Sequence, residues 1–539
     1  MSPQKQISRR EFLRGAGLAL VGATLAACGG QAPTSQGTPA APVAPATPAA
    51  APAAPTAPAA ISGGGEKVVI WRGGPSVPDD DPILQAIEQA TNTDIQVLNV
   101  GQLTEKVNAG IASGDIPDVI CTLDHNGNRA LIEQWARDGV VAAFDGDVAA
   151  AAPNIVAQYE QNPVLNELKI EGKIYMQPVF WGNGFQPNAG LLHVRKDLLD
   201  KYGMEPPQSF DQYFAFLRAA KKDGQPGVLF YGEGGPGFAI NAFVGAFGVP
   251  ATGWVKVGDR YEYALIQPGI RDGLLLFRAM VNEGLINPVS WEGGEMRDKY
   301  VAGEGAALIF NGGGHIGRIQ IDMDLAGKGA KEWLLAAPHA GGSARGYTKE
   351  PMFWGVTLIG NMKKNNPVAA ARVLNFLVSE EGTRLTALGI PGRDYEGTSL
   401  DTIKLNVEQR VKDGFPAGAG DTGAHPLATE IVSWVPQELQ DFALLYGKDE
   451  TFKQWYRDMR KNQTQYVIDN VGQLSTSPQW SAFLPTGNEL MGRSFLAIVQ
   501  SPSENEAKTL FDQFVQEWKA AGGEQAQQEM SEVLSKLYG

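Results

Sequence analysis

Apolar residues recur along the chain in two patterns, one typical of strands and one typical of helices. Residues 67–71 form a short apolar run that ends in a Gly-Gly-Pro loop, which predicts a buried strand. A helix is predicted over 82–90, because Ile83, Leu84 and Ile87 fall on one face. The same patterns predict strands over 94–100, 117–121, 191–194, 228–231, 306–310 and 352–359, and helices over 102–112, 129–138, 195–203, 210–221, 272–283 and 507–518.

Strands that alternate with helices predict an α/β protein built on largely parallel, covered sheets. Two further helices are predicted, one beginning at Pro367 and one capped by Ser379 and stopped by Gly389. The buried runs also include Cys121, which we interpret as a small core hydrophobe. Three tryptophans lie inside helical patterns and are predicted to pack in the core: Trp135, Trp333 and Trp518.

Length and composition limit the class of protein. A chain of 539 residues fits two large lobes or three smaller domains, and 43% hydrophobic residues allow real cores. The formal charge of −14 gives no basic face for nucleic acid. Beyond position 30 no apolar run is long enough to span a bilayer, so a multi-span membrane protein is excluded. Two cysteines exclude a disulfide framework and a thiolate metal cluster.

The segment 1–28 resembles an export signal. The basic string at 8–14 looks like a twin-arginine motif, and it precedes a short apolar stretch rich in Gly and Ala. Leu25-Ala26-Ala27-Cys28 looks like a bacterial lipobox, which predicts cleavage after residue 27 and diacylglyceryl attachment to Cys28. The alternative is an ordinary secretory signal that contains a cysteine.

The segment 28–65 is predicted to be a tether. Pro and Ala make up most of the window 31–60, and positions 29–65 carry no charge. Such a segment favours a semi-rigid, extended linker with a reach of roughly 3 Å per residue. Removing 1–27, whose four cations and one anion sum to +3, changes the formal charge from −14 to −17.

The chain lacks the motifs of the common catalytic sites. Walker A, H-E-x-x-H and G-x-S-x-G strings are absent, and the five histidines show no i, i+4 pair. GEGGPG at 232–237 matches G-x-G-x-x-G, but a chain with 65 glycines gives such matches by chance. We therefore expect no catalysis, no cofactor and no metal.

Aromatic and polar residues meet at the ends of predicted strands. In open α/β sheets ligands bind at the carboxyl ends of strands, and flat rings beside polar groups suit a sugar. The alternative is that most of these tryptophans pack in the core. The positions are Trp71, Asp124, Trp181, Asn183, Trp291, Asn311, Trp354, Arg393 and Tyr395.

Three stretches resemble family 1 extracellular solute-binding proteins of ABC importers, in the branch of oligosaccharide-binding lipoproteins. They begin with GKIYMQPV near 172, FRAMVNEGLINP near 277 and NPVAAARVLNFLVSEEGTRLTALGIPGRDYEG near 366. The resemblance implies a two-lobed, type II periplasmic-binding-protein-like fold that closes on its ligand by a hinge. The nine residues above are then candidates for the cleft.

The resemblance also implies domain boundaries and partners. We expect an N-terminal lobe from 66–188 with about 346–398, and a C-terminal lobe from 189–345 with about 399–539. The expected partners are a carbohydrate, the subunits of an ABC permease and the outer face of the cell membrane through the lipid on Cys28. A monomer is expected.

One departure from the branch concerns calcium. Many members carry an Asp/Asn-rich calcium loop after the helix that matches 210–221, and here the loop is Lys-Asp-Gly-Gln-Pro-Gly at 222–227. One carboxylate cannot supply the oxygens that calcium takes, so no calcium site is predicted there.

The alternatives that stay open are a lipid-anchored secreted glycoside hydrolase, a binding protein for a non-sugar solute such as a peptide, and a cell-surface interaction module. Carboxylates are plentiful, and sequence alone does not separate a glycosidase pair from solvated surface residues.

Overall fold

The computed structural model describes residues 65–73, 77–187, 190–232, 235–251, 253–312, 315–340, 345–415, 424–429, 431–432, 436–469 and 471–539. The predicted signal segment, Cys28 and the tether lie outside the described residues. The strands are β1 (Glu66–Arg72), β2 (Thr93–Asn99), β3 (Val119–Leu123), β4 (Met176–Pro187), β5 (Leu191–Arg195), β6 (Val228–Phe230), β7 (Trp254–Val257), β8 (Arg260–Tyr263), β9 (Ala307–Phe310), β10 (Glu332–Leu334), β11 (Tyr347–Ile359), β12 (Tyr395–Glu396), β13 (Lys404–Leu405) and β14 (Val467–Ile468).

The predicted helices are present, most of them within a few residues of the expected bounds. The helices are α1 (Pro82–Thr91), α2 (Leu103–Ser113), α3 (His125–Arg137), α4 (Gly146–Ala151), α5 (Pro153–Gln161), α6 (Lys196–Lys201), α7 (Phe210–Lys222), α8 (Asn241–Val244), α9 (Pro268–Asn282), α10 (Met296–Val301), α11 (Arg318–Leu325), α12 (Pro367–Leu377), α13 (Glu380–Leu388), α14 (Val407–Lys412), α15 (Pro426–Thr429), α16 (Gln437–Leu445), α17 (Glu450–Thr464), α18 (Pro478–Gln500), α19 (Glu504–Trp518) and α20 (Glu524–Tyr538).

Local sequence explains where several of these helices begin and end. The Ser379 hydroxyl accepts from the N–H of Gly382 at 3.0 Å, so α13 has the predicted cap. Gly389 follows α13 with a φ of 95°, a value that favours glycine. In the described part of the chain, no helix is both long enough and apolar enough to cross a bilayer.

The first sheet has the strand order β14-β11-β3-β1-β2, with β4 paired to the other side of β11. The strand β1 runs parallel to β2 and β3, while β11 runs antiparallel to both β3 and β4. Helices cover this sheet, and its core contains Val68, Val119 and Leu358. Trp135 is buried in the same core, and Cys121 is fully buried in β3, as predicted.

The second sheet has the strand order β10-β5-β9-β6. It is mixed, because β5 pairs antiparallel with β9 and β10 while β6 and β9 run parallel. This differs from the expected mostly parallel sheet. The reason is that the chain enters β5 directly from the first lobe, beside the end of β9, and so has to run in the opposite direction. Its core includes Phe230 and Phe277, and Trp518 is buried there as predicted, whereas Trp333 is half-buried.

The chain passes between the lobes at places held by close contacts. The buried Gln463 on α17 donates from Nε2 to the carbonyl oxygen of Pro187 at 2.5 Å, just before the crossing into β5. At the entry to β11, a Cβ on Gly245 would overlap the Gly346 carbonyl oxygen, so the two backbones touch there. A further crossing follows β14, where the buried Glu167 accepts from the N–H of Leu474 at 2.8 Å.

The segment after residue 398 packs differently from the prediction. Phe415 and Leu427 enter the core of the first lobe, and the Arg72 guanidinium on β1 donates to the carbonyl oxygen of Pro426 at 2.7 Å. Helices α18 to α20 do pack in the second lobe. Phe415, Leu427, Ile431 and Val432 thus pack with the first core, although the expected boundary assigned residues after 398 to the second lobe. The other parts of the expected lobe division stay a prediction.

Candidate ligand-binding site

The carboxyl end of β9 lies at the edge of the second lobe that faces the first lobe. Phe310, the last residue of β9, is in register with Leu191, the first residue of β5 after the crossing from Pro187. A Cβ on Gly312 would lie 2.7 Å from Gln463 Nε2, the atom that also holds Pro187. The predicted residue Asn311 therefore lies at the interlobe edge.

The ribbon of β4 and β11 carries three predicted residues between the lobes. Val356 of β11 is in register with Leu123, the last residue of β3, so the earlier residues of β11 extend beyond the end of that strand. Trp354 is among them, and the facing part of β4 contains Trp181 and Asn183. The backbones of these residues lie at the edge between the lobes. Contact of their side chains with a ligand stays a prediction.

Two predicted residues lie at strand ends of the first lobe. Trp71 is the last residue but one of β1 and packs half-buried against the first core. Asp124 directly follows β3, and its carbonyl oxygen accepts from Asn128 Nδ2 at 2.8 Å at the start of α3. Both lie at carboxyl ends of parallel strands, where the sequence placed them.

Trp291 lies beside the carboxyl end of β6. The Gly232 N–H donates to the Ser290 carbonyl oxygen at 3.0 Å, which fixes the turn that carries Trp291. Its ring meets Phe230 edge-on, with ring centroids 4.9 Å apart and an interplanar angle of 88°. Trp291 is half-buried, so one side of the ring packs on the core.

An aromatic group lies next to these residues, and sequence reasoning did not single out two of its members, Tyr231 and Phe310. Tyr231 stacks on Phe310 with centroids 5.4 Å apart and an angle of 28°, and Phe310 meets His315 edge-on at 4.8 Å. Because β6 and β9 are neighbouring parallel strands, the residues that follow them meet at one edge. We call Tyr231, Phe310 and His315 the aromatic shelf. The sequence signal that could have identified this group is an aromatic residue at the end of each of two predicted strands.

Burial and nearby cations keep His315 neutral. Burial first, and then the charges of Arg297, His193 and Arg318, lower the pKa of His315 to about 4. At neutral pH its imidazole can therefore both donate and accept a hydrogen bond. This suits the recognition of a hydroxyl group.

A buried pair of side chains supports the backbone of Asn311. His193 and Glu332 are fully buried, with Nδ1 and Oε1 2.6 Å apart. The other ring nitrogen, Nε2, lies 3.0 Å from the carbonyl oxygen of Asn311. Each ring nitrogen thus lies within hydrogen-bond distance of an oxygen atom. The pair fixes the start of the loop that follows β9.

The stretch GIPGRDYEG makes contacts within the protein. The Arg393 guanidinium forms two bonds of 2.5 Å to the carboxylate of Asp413. Tyr395 is buried in a small hydrophobic cluster. The Asp394 carboxylate accepts from the N–H of Ile390 at 2.6 Å and closes the turn after α13. We interpret this stretch as a structural turn, and contact of Arg393 and Tyr395 with a ligand remains untested.

The loop at 222–227 carries a carboxylate that is already paired. Asp223 lies 2.5 Å from Lys201 Nζ and 2.9 Å from the Tyr202 hydroxyl, and these donors lower the pKa of the Asp223 carboxyl. Over the described ranges, no three His, Cys, Asp or Glu side chains are grouped to hold a metal ion. The absence of calcium stays a prediction.

The two sheets lie in separate lobes, and several chain crossings join them. Polar and aromatic residues lie at the strand ends that face each other. This arrangement defines a two-lobed binding protein. The family model of the bacterial extracellular solute-binding proteins matches residues 74–384. The chain belongs to this family.

Curated relatives are distant but share long stretches. The fructooligosaccharide ABC transporter substrate-binding protein FusA of Streptococcus pneumoniae serotype 4 (strain ATCC BAA-334 / TIGR4) is 26% identical over 242 residues, which are 40% of this chain and 44% of FusA. The aligned region thus spans less than half of FusA. The polygalacturonan/rhamnogalacturonan-binding protein YtcQ of Bacillus subtilis (strain 168) is 20% identical over 478 residues, 85% of this chain and 89% of YtcQ.

Solved structures share the fold. The alginate-binding protein AlgQ2 without calcium ion superposes with a TM-score of 0.65 at 17% identity, over 86% of this chain and 97% of AlgQ2. A solute-binding protein of Bifidobacterium longum infantis, described as associated with a transporter that binds HMO, gives 0.62 at 17% identity over 88% and 99%. These likenesses establish the two-lobed fold.

Proposed function

We propose that this protein is a lipid-anchored receptor that captures a carbohydrate between its lobes and delivers it to an ABC permease. The observation that carries the carbohydrate assignment is the aromatic shelf at the interlobe edge. Tyr231, which is half-buried and stacked on the buried Phe310, offers one flat face to the apolar side of a sugar ring, and neutral His315 and Asn311 offer hydrogen bonds to its hydroxyls.

The relatives support the same class of solute. FusA is named for fructooligosaccharides and YtcQ for polygalacturonan and rhamnogalacturonan, and both names describe a binding function. The solute proposed for this chain is therefore an oligosaccharide. Family membership supports the transport role, because the family is that of extracellular solute-binding proteins.

The proposed receptor is not an enzyme. The sequence lacks the common nucleophile and zinc motifs, and the buried acidic groups near the shelf are paired, as Glu332 is with His193. A turnover assay on chromogenic glycosides separates this proposal from a secreted hydrolase. A rate that disappears when one carboxylate pair is replaced would contradict the proposal.

Anchoring is proposed through Cys28. Several acyl chains on one residue hold a protein durably at a membrane, where a single chain gives marginal binding. The Pro/Ala-rich tether would then allow the body to reach the permease. Replacing Cys28 with Ala should move the protein from the membrane fraction to the soluble fraction, and mass spectrometry of the N-terminal peptide should show the lipid.

The proposal is tested by the melting temperature of the mature chain in the presence of an oligosaccharide panel. A ligand that binds the folded state raises the midpoint, by an amount that grows with its concentration. We expect a shift with at least one oligosaccharide. Shifts with peptides or amino acids alone would contradict the sugar assignment. Small-angle scattering with and without ligand should show closure of the lobes, which a surface interaction module would not show.

A further inference from the structure

The chain crossing that follows β14 is held by both lobes within four residues. Val471 pairs with Trp254 of β7 through two main-chain hydrogen bonds of 3.0 and 3.3 Å, and Trp254 is buried in the core of the second lobe. Leu474 is buried in the core of the first lobe. Gly472 lies between them with a φ of 72°. A rotation of one lobe against the other therefore has to be accommodated within this short stretch.

One buried carboxylate of the first lobe binds this crossing. Glu167 lies in a turn between Leu165 and Leu168, which are both buried in the first core. Its Oε1 accepts from the N–H of Gly472 at 3.1 Å, and its Oε2 accepts from the N–H of Leu474 at 2.8 Å. The two oxygens thus hold alternate residues of the crossing.

The same carboxylate binds the last helix of the chain. The Tyr538 hydroxyl, at the end of α20, donates to Glu167 Oε1. The rest of α20 belongs to the second lobe, because Leu534 lies in the second core and the Ser531 hydroxyl accepts from the N–H of Tyr261 on β8 at 2.8 Å. This bond therefore joins the lobes at a point that is not itself a chain crossing.

The charge of Glu167 depends on donors that the crossing and the second lobe supply. We call Glu167 with its three donors, Gly472, Leu474 and Tyr538, the interlobe clasp. Burial raises the pKa of the Glu167 carboxyl, and the hydrogen bonds from Tyr538, Leu474 and Gly472 oppose this rise. Because a buried carboxylate is costly without such donors, the clasp stabilises lobe orientations in which all three bonds form.

The crossing into β11 lies beside the clasp. Thr348 of β11 is in register with Ile468 of β14, so two of the chain crossings run as neighbouring strands. A Cβ on Gly346 would lie 2.2 Å from the Ile468 side chain, so the backbone is closely packed there. Neighbouring crossings define one line about which two lobes can turn.

We propose that the interlobe clasp is the axis about which the lobes rotate when the receptor closes on its ligand. A contact at the axis of a rotation moves little, so its three bonds persist while the cleft opens and closes. The clasp thereby confines the motion to one direction and reduces the freedom that the lobes lose on binding. This inference rests on the proposed function, because closure serves the capture of a ligand.

The lobe motion is tested first without ligand. Spin labels are attached to cysteines that replace the exposed Asp138 of the first lobe and Leu325 of the second, in the Cys28→Ala form, where the remaining Cys121 is buried. Tyr538→Phe should broaden the distribution of distances between the labels. The loss of a hydrogen bond to a charged acceptor should raise the population of other lobe orientations about tenfold. An unchanged distribution would overturn the proposal.

A matched control separates the clasp from the general loss of a tyrosine hydroxyl. Tyr202 donates to the Asp223 carboxylate at 2.9 Å, and its ring packs against the core of the second lobe. Tyr202→Phe should leave the distribution unchanged, and equal broadening in both variants would contradict the proposal. Glu167→Gln should broaden it at least as much as Tyr538→Phe. Melting temperatures check folding, and Tyr538, which is 40% exposed, gives the variant that leaves the buried core intact.

Hydrogen exchange tests whether the clasp persists on closure. The amides of Gly472 and Leu474 both donate to Glu167, so they should exchange slowly with and without a bound oligosaccharide. Mass spectrometry with fragmentation to single residues gives these rates. Exchange that becomes faster when ligand is added would show that the clasp opens on closure, and would overturn its role as the axis.

Calorimetry with an oligosaccharide that binds the wild type measures the consequence for binding. Tyr538→Phe should weaken the affinity about threefold to tenfold through a less favourable entropy, although the clasp includes no residue of the aromatic shelf. Tyr202→Phe should stay within twofold. A broader distance distribution with unchanged affinity would overturn the role of the clasp in binding. Binding of no oligosaccharide would overturn the proposed function, and the label distances would still decide whether the clasp restrains the lobes.

Discussion

Asp81 and His425 lie 344 positions apart in the chain, and their buried side chains meet with Oδ2 and Nε2 3.0 Å apart. The Leu427 N–H points to His425 Nδ1 at 3.3 Å, so Nδ1 accepts and Nε2 donates to the carboxylate. Asp81 Oδ1 meanwhile caps α1 by accepting from Ile83 and Leu84, each at 2.9 Å. One carboxylate thus joins the first helix to a segment near the end of the first lobe.

Replacing Asp81 with Ala should lower the free energy of unfolding by about 2–4 kcal/mol, because the cap contributes about 1 kcal/mol and the loss of the carboxylate also leaves a buried His425 donor without a partner. The measurement is denaturant unfolding of the mature chain. Ser379→Ala, which removes a cap without a buried partner, should cost about 1 kcal/mol, and an equal loss for both variants would contradict the role of His425.

The helices and their caps could be predicted from sequence because the signals are local. The apolar periodicity of α1, the Ser379 cap and the Gly389 stop all act within a few residues. The meeting of Asp81 with His425 could not be predicted, because no spacing rule relates residues so far apart. For the same reason the sequence did not indicate that Phe415, Leu427, Ile431 and Val432 pack in the first core, because apolar residues fit either core and packing alone decides between them.

Arg393 is expected to contribute more to stability than to ligand binding. Its guanidinium holds the Asp413 carboxylate, which is 3% exposed, while Arg393 itself is 45% exposed. Arg393→Gln should lower the free energy of unfolding by about 1–2 kcal/mol, because it leaves a buried carboxylate without its cation. The affinity for any oligosaccharide ligand should stay within twofold.

Arg384→Gln is the matched control for Arg393. Arg384 lies on the neighbouring helix α13 and is half-buried, and it donates to the Thr398 carbonyl oxygen at 3.4 Å. We expect the free energy of unfolding of this variant to change by less than about 0.5 kcal/mol, because the substitution removes one long hydrogen bond and leaves no buried charge unpaired. A tenfold loss of ligand affinity in Arg393→Gln at unchanged stability would show instead that Arg393 contacts the ligand.

Asp394 should make the first lobe more stable in mildly acidic solution. Burial, and next the approach of Asp413, raise the pKa of the Asp394 carboxyl to about 6, although a bond from Ile390 opposes the rise. Between about pH 4 and pH 6 the folded protein holds a proton that the unfolded chain has released. The stabilising contribution is therefore complete below about pH 4 and is lost as the pH rises through 6.

Asp394→Asn removes this titration while it keeps the shape of the side chain. The free energy of unfolding of the variant relative to the wild type should rise by about 1–3 kcal/mol between pH 4.5 and pH 7.5. Asp401→Asn, at an exposed turn, should show no such change. Parallel pH profiles for the wild type and Asp394→Asn would contradict the buried proton.

The sequence predicted the location of the candidate site better than it predicted the contacts that its residues make. The rule that ligands bind at the carboxyl ends of strands identified Asn311 and Trp291. It did not separate Tyr231 from an ordinary strand residue, because the stacking on Phe310 depends on β6 and β9 being neighbours. The same rule also selected Arg393, but only the structure shows that Arg393 pairs with Asp413.

Tyr231 should be a main contact for the proposed carbohydrate ligand. Its ring stacks on Phe310 at the interlobe edge, and removal of such a face costs about 1–2 kcal/mol of binding free energy, or about tenfold in affinity. Calorimetry of Tyr231→Ala with an oligosaccharide that binds the wild type should show this loss, whereas Tyr231→Phe keeps the ring and should stay within threefold. Tyr202→Ala is the control, because Tyr202 follows the far end of β5, away from the crossing at Pro187. Equal losses in the Tyr231 and Tyr202 alanine variants would mean that the aromatic shelf does not contact the sugar.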